Sequence, residues 1–450
     1  MPTANTRDII LDVLTDINKN GRYCHIALHR ALTEYQYLSK RDRAFITRVC
    51  EGTTERLIEI DYIIDQFSSV AVSRMKPLIR NIMRSAVYQI CFMGGVPDGA
   101  AVNEAVMLTQ SRGFYNLKGF VNGVLRNIAR NVENITYPDP KTNVMEYLSV
   151  TYSVPRWIVK YWVDEYGFDV TKLMLQSFME EKPTTVRLTT AIPREKILES
   201  LKAQGVHVKR APYLPYAYNI SDYNFLPALD AFKKGWIFPQ DVSSMLVAEA
   251  AGLRQGDYVI DLCAAPGGKS LHAADKMAGF GMVEARDLTT EKMKLIEENI
   301  ARADLINIRP QKMDALVYDK VSEGRADVVI CDLPCSGLGV IGRKPDIKYK
   351  ASLEKVEELS DLQKRMLHNA ASYVRPGGTL IFSTCTVSPR ENTENVRWFL
   401  ENEPFKADSL DPYLPPQLHR LTTSEGYLQM MPGIHESDGF FISRFVKDMP

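Results

Sequence analysis

The chain has 450 residues, 45% hydrophobic and 24% charged, which excludes intrinsic disorder and is enough for two or three domains. Its 55 basic and 55 acidic residues balance, so the net charge indicates no particular partner. Seven cysteines without a CxxC pair exclude a disulfide framework and a zinc knuckle and favour reduced thiols in the cytoplasm. No apolar run reaches ~18 residues and no signal peptide begins the chain, so we expect no membrane partner.

Three segments in the first third of the chain carry apolar residues at helical spacing and predict an all-α bundle with one core. Their apolar positions are Ile9, Ile10, Val13, Leu14 and Ile17; Leu78, Ile79, Ile82, Met83, Ala86, Val87 and Ile90; and Phe120, Val121, Val124, Leu125 and Ile128. Residues 1–131 hold 17 Lys and Arg against 12 Asp and Glu, which permits a polyanion partner without requiring one. Arginines on these helices are able to contact phosphates, but solvated helix faces explain them more simply. They are Arg41, Arg43, Arg48, Arg126 and Arg130.

A linker and a small α/β unit are predicted after the helical segment. Residues 134–144 carry two prolines and no periodicity, which is typical of a linker. Residues 145–234 then combine strand-like and helical patterns. The strand-like runs are Thr184–Thr190, Val206–Lys209 and Ala217–Ile220, and the helical one is Pro193–Gln204. No chemical constellation is present in this unit.

Residues 235–450 alternate strand-like and helical runs, a pattern typical of βαβ units and a parallel sheet. The predicted strands are Tyr258–Leu262, Gly281–Asp287, Ile308–Met313, Ala326–Cys331 and Thr379–Ser383, and the predicted helices include Val242–Ala251, Glu291–Ala303 and Leu353–Val374. Two last strands, Tyr427–Met431 and Gly439–Val446, have no helix between them. We therefore expect them to pair as an antiparallel, hairpin-like edge.

A glycine-containing loop, Asp261–Lys269, follows the first of these strands and opens a helix. Its small residues let a ligand approach the backbone, and the helix N-terminus offers free N–H groups. The loop matches neither the Walker sequence nor the dinucleotide fingerprint, and a tight turn alone would explain its glycines.

Three acids, Asp287, Asp314 and Asp332, follow the ends of successive predicted strands. A single acid in such a place is more often a helix cap. All three together with the glycine loop indicate a nucleoside-like ligand along the carboxyl edge of the sheet.

Two cysteines, Cys335 and Cys385, follow the fourth and fifth strands. Singly, each would be interpreted as a small buried hydrophobe. As a pair beside a nucleoside pocket they suggest thiolate catalysis, and since no histidine cluster accompanies them we expect no metal.

The segments DLCAAPGGK, DLPCSG and STCT resemble, in order and in place, the signature motifs of the RNA cytosine-5 methyltransferases, the NOL/NOP2/sun family. Gly235–Val247 resembles the segment that precedes the family's first strand. The helical front resembles the NusB-like RNA-binding domain by layout, and this fusion, together with Pro345–Lys348, is similar to the bacterial Sun/Fmu, or RsmB, family.

The resemblance implies a multidomain fold: an all-α NusB-like bundle (1–133), a linker (134–144), a small α/β ferredoxin-like domain (145–234) and an α/β class I S-adenosylmethionine-dependent, Rossmann-like methyltransferase domain (235–450). It also implies cofactor-binding residues, which are Cys263, Ala264, Ala265, Pro266, Gly267, Gly268, Lys269, Asp287 at the ribose, Asp314 near the adenine and Asp332 between cofactor and base. Cys385 is implied as nucleophile, Cys335 as an aid to product release and Asp332 as a catalytic acid. Glu284–Arg286 departs from the apolar strand usual in the family.

The implied activity is S-adenosylmethionine-dependent methylation of cytosine C5 in 16S ribosomal RNA by a cytoplasmic monomer, on free RNA or a partly assembled subunit. A transfer-RNA or 23S ribosomal RNA methyltransferase with the same catalytic domain is the nearest alternative. A non-catalytic RNA-binding assembly factor is the alternative from another class. A DNA cytosine methyltransferase fits less well, because its nucleophile lies in a Pro-Cys rather than a Thr-Cys segment.

Overall fold

The computed structural model describes residues 5–449 and contains helices and strands that are numbered here in chain order. The helices are α1 (Thr6–Asn20), α2 (Cys24–Glu34), α3 (Lys40–Glu55), α4 (Leu57–Phe67), α5 (Pro77–Phe92), α6 (Asp98–Ser111), α7 (Lys118–Arg130), α8 (Val144–Thr151), α9 (Arg156–Phe178), α10 (Arg194–Ala203), α11 (Asp230–Lys233), α12 (Val242–Ala250), α13 (Gly268–Lys276), α14 (Thr290–Ala303), α15 (Ile347–Lys350), α16 (Leu353–Tyr373), α17 (Thr393–Asn402) and α18 (Leu421–Ser424).

The strands are β1 (Thr184–Leu188), β2 (His207–Arg210), β3 (Ala217–Ser221), β4 (Ile237–Pro239), β5 (Tyr258–Asp261), β6 (Met282–Asp287), β7 (Ile308–Lys312), β8 (Ala326–Asp332), β9 (Val374–Thr384), β10 (Phe405–Ala407), β11 (Tyr427–Met430) and β12 (Phe440–Lys447). The described residues form two compact units, one of residues 5–180 and 341–350 and the other of residues 181–340 and 351–449.

The first unit is helical, as its apolar periodicity predicts. Helices α1, α5 and α7 contain the three predicted segments, and their inward residues share one buried core with α2, α3, α4 and α6. Helix α1 begins where the Asn5 side chain accepts a hydrogen bond from the Arg7 amide, and ends at Gly21, whose φ of 70° is the left-handed conformation that glycine adopts without a Cβ penalty. Helix α9 is interrupted at Gly167.

The segment Ile341–Lys350 belongs to this first unit although it follows the DLPCSG motif in sequence. Lys348 is 1% exposed, and its Nζ donates to the carbonyl of Glu55 over 2.7 Å. Burial lowers the pKa of the Lys348 ammonium to about 7. The Asp346 carboxylate accepts from the Cys24 amide at 3.0 Å. The motif Pro345–Lys348 is therefore part of the helical unit's interior.

The second unit begins with an antiparallel sheet in the order β2-β3-β1-β4. Helix α10 packs Ile197 and Leu201 into the same apolar core as β1. This confirms the predicted small α/β fold and adds β4, which the sequence pattern does not reveal. Buried Arg187 of β1 pairs with Asp275 of α13 at 2.5 Å, which attaches this sheet to the following one.

The large sheet has eight strands in the order β10-β12-β9-β8-β5-β6-β7, with β11 paired to β12. The five strands from β9 to β7 are parallel, as predicted, and apolar clusters cover the sheet. Strands β11 and β12 pair antiparallel, but β12 is not an edge strand, because it lies between β9 and β10. Its first six residues, Phe440 to Phe445, are all buried, because both faces of the sheet are covered at this strand.

Candidate active site

The glycine loop connects β5 to α13 at the carboxyl edge of the large sheet. Gly267 precedes α13 with a φ of 105°, and no side chain caps the helix, so its first N–H groups are left for a ligand. The Asp287 carboxylate at the end of β6 accepts from the Ala265 amide at 3.0 Å and pairs with Lys292 at 2.9 Å. At 3% exposure, Asp287 therefore holds the loop in place.

Asp261, the first residue of this loop, is fully buried. Ser270 donates to its Oδ2 at 2.6 Å, whereas its Oδ1 has no hydrogen-bond partner. Burial raises the pKa of Asp261 to about 7. An unpartnered buried acceptor beneath a loop of small residues and an open helix N-terminus fits the amino-acid and sulfonium groups of S-adenosylmethionine.

Asp332, at the end of β8, is held by two neighbours from different motifs. The Lys269 ammonium lies 2.6 Å from its Oδ2, and the Ser383 hydroxyl donates to its Oδ1 at 2.8 Å. Burial alone would lower the pKa of Lys269, but the carboxylates around it more than compensate, so its pKa is raised. Lys269, expected at the cofactor, thus contacts the expected catalytic acid.

The sulfurs of Cys335 and Cys385 lie 3.4 Å apart, and both side chains are partly exposed. The chain reaches this geometry because β8 and β9 are adjacent parallel strands that end at one edge. Gly339 brings the two loops together: its amide donates to the Cys385 carbonyl at 3.1 Å, and an added Cβ would stand 2.1 Å from the Gly439 carbonyl oxygen. The hydrogen bond with Cys385 and burial raise the pKa of Cys335 well above its ordinary value.

A buried carboxylate that sequence reasoning missed, Glu391, lies beneath the two cysteine loops. It accepts from the Ser336 amide at 2.7 Å and from the Ser336 hydroxyl at 2.6 Å. The same hydroxyl lies 2.8 Å from the hydroxyl of Thr386, the residue after Cys385. The available signal was Glu391-Asn392, a polar pair just after STCT and before α17.

The remaining predicted residues lie near the loop or in local turns. Cys263 is partly exposed at the start of the loop, and burial raises the pKa of its thiol. The Asp314 carboxylate accepts from the Leu316 amide at 2.9 Å, a local contact beyond the end of β7. No contact joins Asp314 to the two cysteines among residues 5–449.

The polar stretch Glu284–Arg286 is accounted for by internal pairing. Arg286 is 1% exposed, and its Nε donates to Glu284 at 2.6 Å while another nitrogen pairs with Asp319 at 3.2 Å. Charged residues are thus buried in β6 because they neutralise one another. Although this stretch is not apolar, β6 still ends at Asp287.

The arginines predicted on the helical unit differ in their surroundings. Arg43 donates to two carbonyls of the same unit, at Gln36 and Leu38, which indicates a structural role. Arg41, Arg48, Arg126 and Arg130 are exposed and remain available to a polyanion.

Comparison with known proteins assigns the chain to a family. Residues 249–446 match the model described as 16S rRNA methyltransferase RsmB/F, residues 4–130 match the NusB family, and residues 154–223 match the ferredoxin-like domain of RsmF/B-like methyltransferases. A relative from Bacillus subtilis (strain 168), named "Probable ribosomal RNA small subunit methyltransferase B", is 34% identical over 98% of both chains. The chain belongs to the RsmB/F family of ribosomal RNA methyltransferases.

Solved structures agree with this RsmB/F assignment. "Crystal Structure of PH0851" is similar with a TM-score of 0.82 and 26% identity over 99% of both chains. A structure of NSun6 from Pyrococcus horikoshii with SFG has the same fold, with a TM-score of 0.57 and 22% identity over 66% of this chain and 99% of that one. The solved structures therefore agree with the predicted fold, and the family model and the Bacillus subtilis relative show that the chain is a ribosomal RNA methyltransferase of the RsmB/F family.

Within residues 5–449, no group of three or more His, Cys, Asp or Glu side chains is arranged to hold a metal ion. None of the helices in this range has the length and apolar character needed to span a membrane.

Proposed function

We propose that this RsmB/F member methylates C5 of a cytosine in 16S ribosomal RNA through a covalent bond between Cys385 and C6 of the base. The observation that carries the proposal is the 3.4 Å approach of the Cys385 and Cys335 sulfurs at the carboxyl edge of the sheet, next to Asp332 and its Lys269 partner. Two thiols from different motifs, partly exposed at a ligand-binding edge, suit addition to a base followed by release.

The first step answers a chemical difficulty, since C5 of cytosine is a poor nucleophile. The Cys385 thiolate attacks C6, a sulfur–carbon bond forms, and the electron pair of the C5–C6 double bond moves into the ring. Asp332 pairs with Lys269 at 2.6 Å and accepts from Ser383 at 2.8 Å; in this step it takes up a proton as the base binds and donates that proton to the negative charge that develops at N3. C5 becomes enamine-like and able to accept a methyl group.

S-adenosylmethionine, when bound, supplies an electrophilic methyl group on a sulfonium. The residues proposed to hold it are Cys263 through Lys269 together with Asp287, Asp314 and Asp332, which carry over from the family motifs. The uncapped N-terminus of α13 and the unpartnered oxygen of Asp261 would receive its amino-acid portion.

Release restores the aromatic ring. When C5 takes the methyl group, N3 returns its added proton to Asp332. The C5 proton then leaves to solvent, its electron pair re-forms the double bond between C5 and C6, and the bond from C6 to Cys385 breaks with its electron pair on the sulfur. Cys335, whose raised pKa keeps it as a thiol, donates its proton to the departing sulfur 3.4 Å away and is reprotonated by water. The base must be unstacked to reach this site, so a loop or an opened helix of the RNA is the expected substrate.

Single-turnover assays with radiolabelled S-adenosylmethionine and small-subunit RNA test this mechanism. We expect Cys385→Ala to abolish label transfer to C5 and Cys335→Ala to accumulate a protein–RNA adduct that survives denaturing electrophoresis. The matched control is Cys91→Ala, which removes a partly buried cysteine of the helical unit. Label on C5 with Cys385→Ala, or no adduct with Cys335→Ala, would contradict the assigned roles.

The RNA target is proposed from the family and is tested separately. Bisulfite sequencing of ribosomal and transfer RNA with and without the gene should show one 16S cytosine that loses its methyl group. A site in transfer RNA or 23S ribosomal RNA would instead favour the alternative substrate. We also propose the domain boundaries given above, a cytoplasmic location and a monomeric state. Sedimentation would test the monomeric state.

A further inference from the structure

We infer that Glu391 is a positioning residue for Cys335: its buried carboxylate fixes the turn at Cys335–Ser336 and holds the Cys335 sulfur against that of Cys385. This inference deepens the proposed function and rests on it for the chemical meaning of the two thiols. It concerns a residue outside the three signature motifs.

Glu391 accepts two hydrogen bonds from Ser336, and this pair of bonds is called the clamp below. One carboxylate oxygen accepts from the Ser336 amide at 2.7 Å, and the other from the Ser336 hydroxyl at 2.6 Å. Two short bonds from one residue to a charged acceptor fix both the backbone and the side chain of the residue after Cys335. Glu391 is itself fully buried, so water does not compete for these bonds.

Neighbouring side chains extend the clamp to both cysteine loops. Gln363 of α16 donates to the Pro334 carbonyl at 2.8 Å and is oriented by Asn395 at 2.7 Å. The Ser336 hydroxyl lies 2.8 Å from that of Thr386. The residues on either side of Cys335 and the residue after Cys385 are therefore held by one buried polar network, which sets the distance between the sulfurs.

The charge of Glu391 gives this clamp an electrostatic consequence. Its carboxylate adds to the effects that raise the pKa of Cys335, after the hydrogen bond with Cys385, burial and the charge on Cys385. Cys335 is thereby held as the neutral thiol, the form that is able to donate a proton to the departing Cys385 sulfur. The hydrogen bonds of Glu391 and its negative charge therefore both favour the Cys335 thiol as proton donor to the Cys385 sulfur.

Glu391→Ala tests the clamp, and Glu394→Ala is its matched control, because Glu394 lies at the start of α17 with an exposed side chain paired to Arg390. In the single-turnover assay we expect Glu391→Ala to leave about tenfold more RNA in the covalent adduct than wild type, while label transfer slows by no more than about threefold. Glu391→Gln, which keeps an acceptor for the Ser336 amide, should restore release in part, and Ser336→Ala should show a smaller accumulation.

A second measurement needs no RNA. In the free enzyme, iodoacetamide should label Cys335 about fivefold faster in Glu391→Ala or Glu391→Gln than in wild type or Glu394→Ala, because the repelling carboxylate is gone. Mass spectrometry of the labelled peptides separates Cys335 from Cys385. Should Glu391→Ala fail to fold, Glu391→Gln carries the labelling test, and Ser336→Ala together with Glu391→Gln carries the adduct test.

An unchanged labelling rate of Cys335, or transfer and release that fall together with no rise in adduct, would overturn the inference. Failure of the proposed function has a different signature, namely no adduct with Cys335→Ala even though the labelling of Cys335 responds to Glu391. In that outcome the positioning of Cys335 stands and its role in release does not.

Discussion

Replacement of Lys269 by Met tests whether Lys269 and Asp332 act as a unit. The Lys269 ammonium lies 2.6 Å from the Asp332 carboxylate, with side chains 13% and 26% exposed. At an effective dielectric of about 20, such a pair attracts by roughly 6 kcal/mol. Because desolvation of both ions offsets part of this attraction, we expect a coupling of about 2 kcal/mol, or about thirtyfold in rate.

The assay is a double-mutant cycle on single-turnover methyl transfer with Lys269→Met, Asp332→Asn and the double variant. Each single change should slow transfer by roughly a hundredfold or more, as for other groups that stabilise developing charge. The double variant should be little slower than the worse single variant, because neither residue works without the other.

The matched control is Lys276→Met. Lys276 ends the same helix, α13, and pairs with Glu249 at 2.7 Å, so it resembles Lys269 in charge and environment but contacts no candidate residue. We expect its loss to change transfer by less than about threefold. Effects that simply multiply in the double variant, or a Lys269→Met enzyme within about threefold of wild type, would refute the coupling.

Three further predictions concern stability. An added Cβ at Gly339 would meet a carbonyl at 2.1 Å, so Gly339→Ala should lower the free energy of unfolding by about 2 kcal/mol in denaturant titration, whereas Gly123→Ala inside α7 should not. Burial raises the pKa of Asp261 to about 7, so the folded protein loses stability as pH rises from about 4 through 7, and Asp261→Asn should remove that slope in melts at pH 5 and 8. Arg187→Met removes the cation beside buried Asp275 and leaves that carboxylate with hydrogen bonds from Thr189 and Thr190 alone, so it should cost about 3–5 kcal/mol, which adding Asp275→Asn should partly recover.

The sequence was sufficient to predict every strand of the large sheet except β10, and the strand ends that the candidate residues follow. Period-two and period-3.6 patterns placed Asp332 and the two cysteines after strands, and the carboxyl ends of parallel strands share an edge. The 3.4 Å approach of Cys335 to Cys385 follows once β8 and β9 are neighbours. That adjacency is a property of the sheet order, which no local pattern contains.

What the sequence could not indicate is which polar residues are buried. Glu391 lies in a turn, where a carboxylate is ordinarily solvated, and only tertiary packing removes it from water. Lys348 is likewise buried. It lies in the first, helical unit, although the chain on either side of residues 341–350 belongs to the second unit. For the same reason the sequence showed Glu284–Arg286 only as a departure from an apolar strand, since the pairing of Arg286 with Glu284 and Asp319 cannot be inferred from spacing alone.

The proposed mechanism needs Cys385 as a thiolate and Cys335 as a thiol, and the charged neighbours of the two cysteines favour these different states. Two negative sulfurs 3.4 Å apart would repel by roughly 5 kcal/mol at an effective dielectric of 20, so the pair carries at most one charge. On one side the Lys269 ammonium interacts favourably with a charged Cys385, and on the other the Glu391 carboxylate disfavours charge on Cys335. Both neighbours therefore favour the single charge on Cys385, the proposed nucleophile, and the neutral thiol on Cys335, the proposed proton donor.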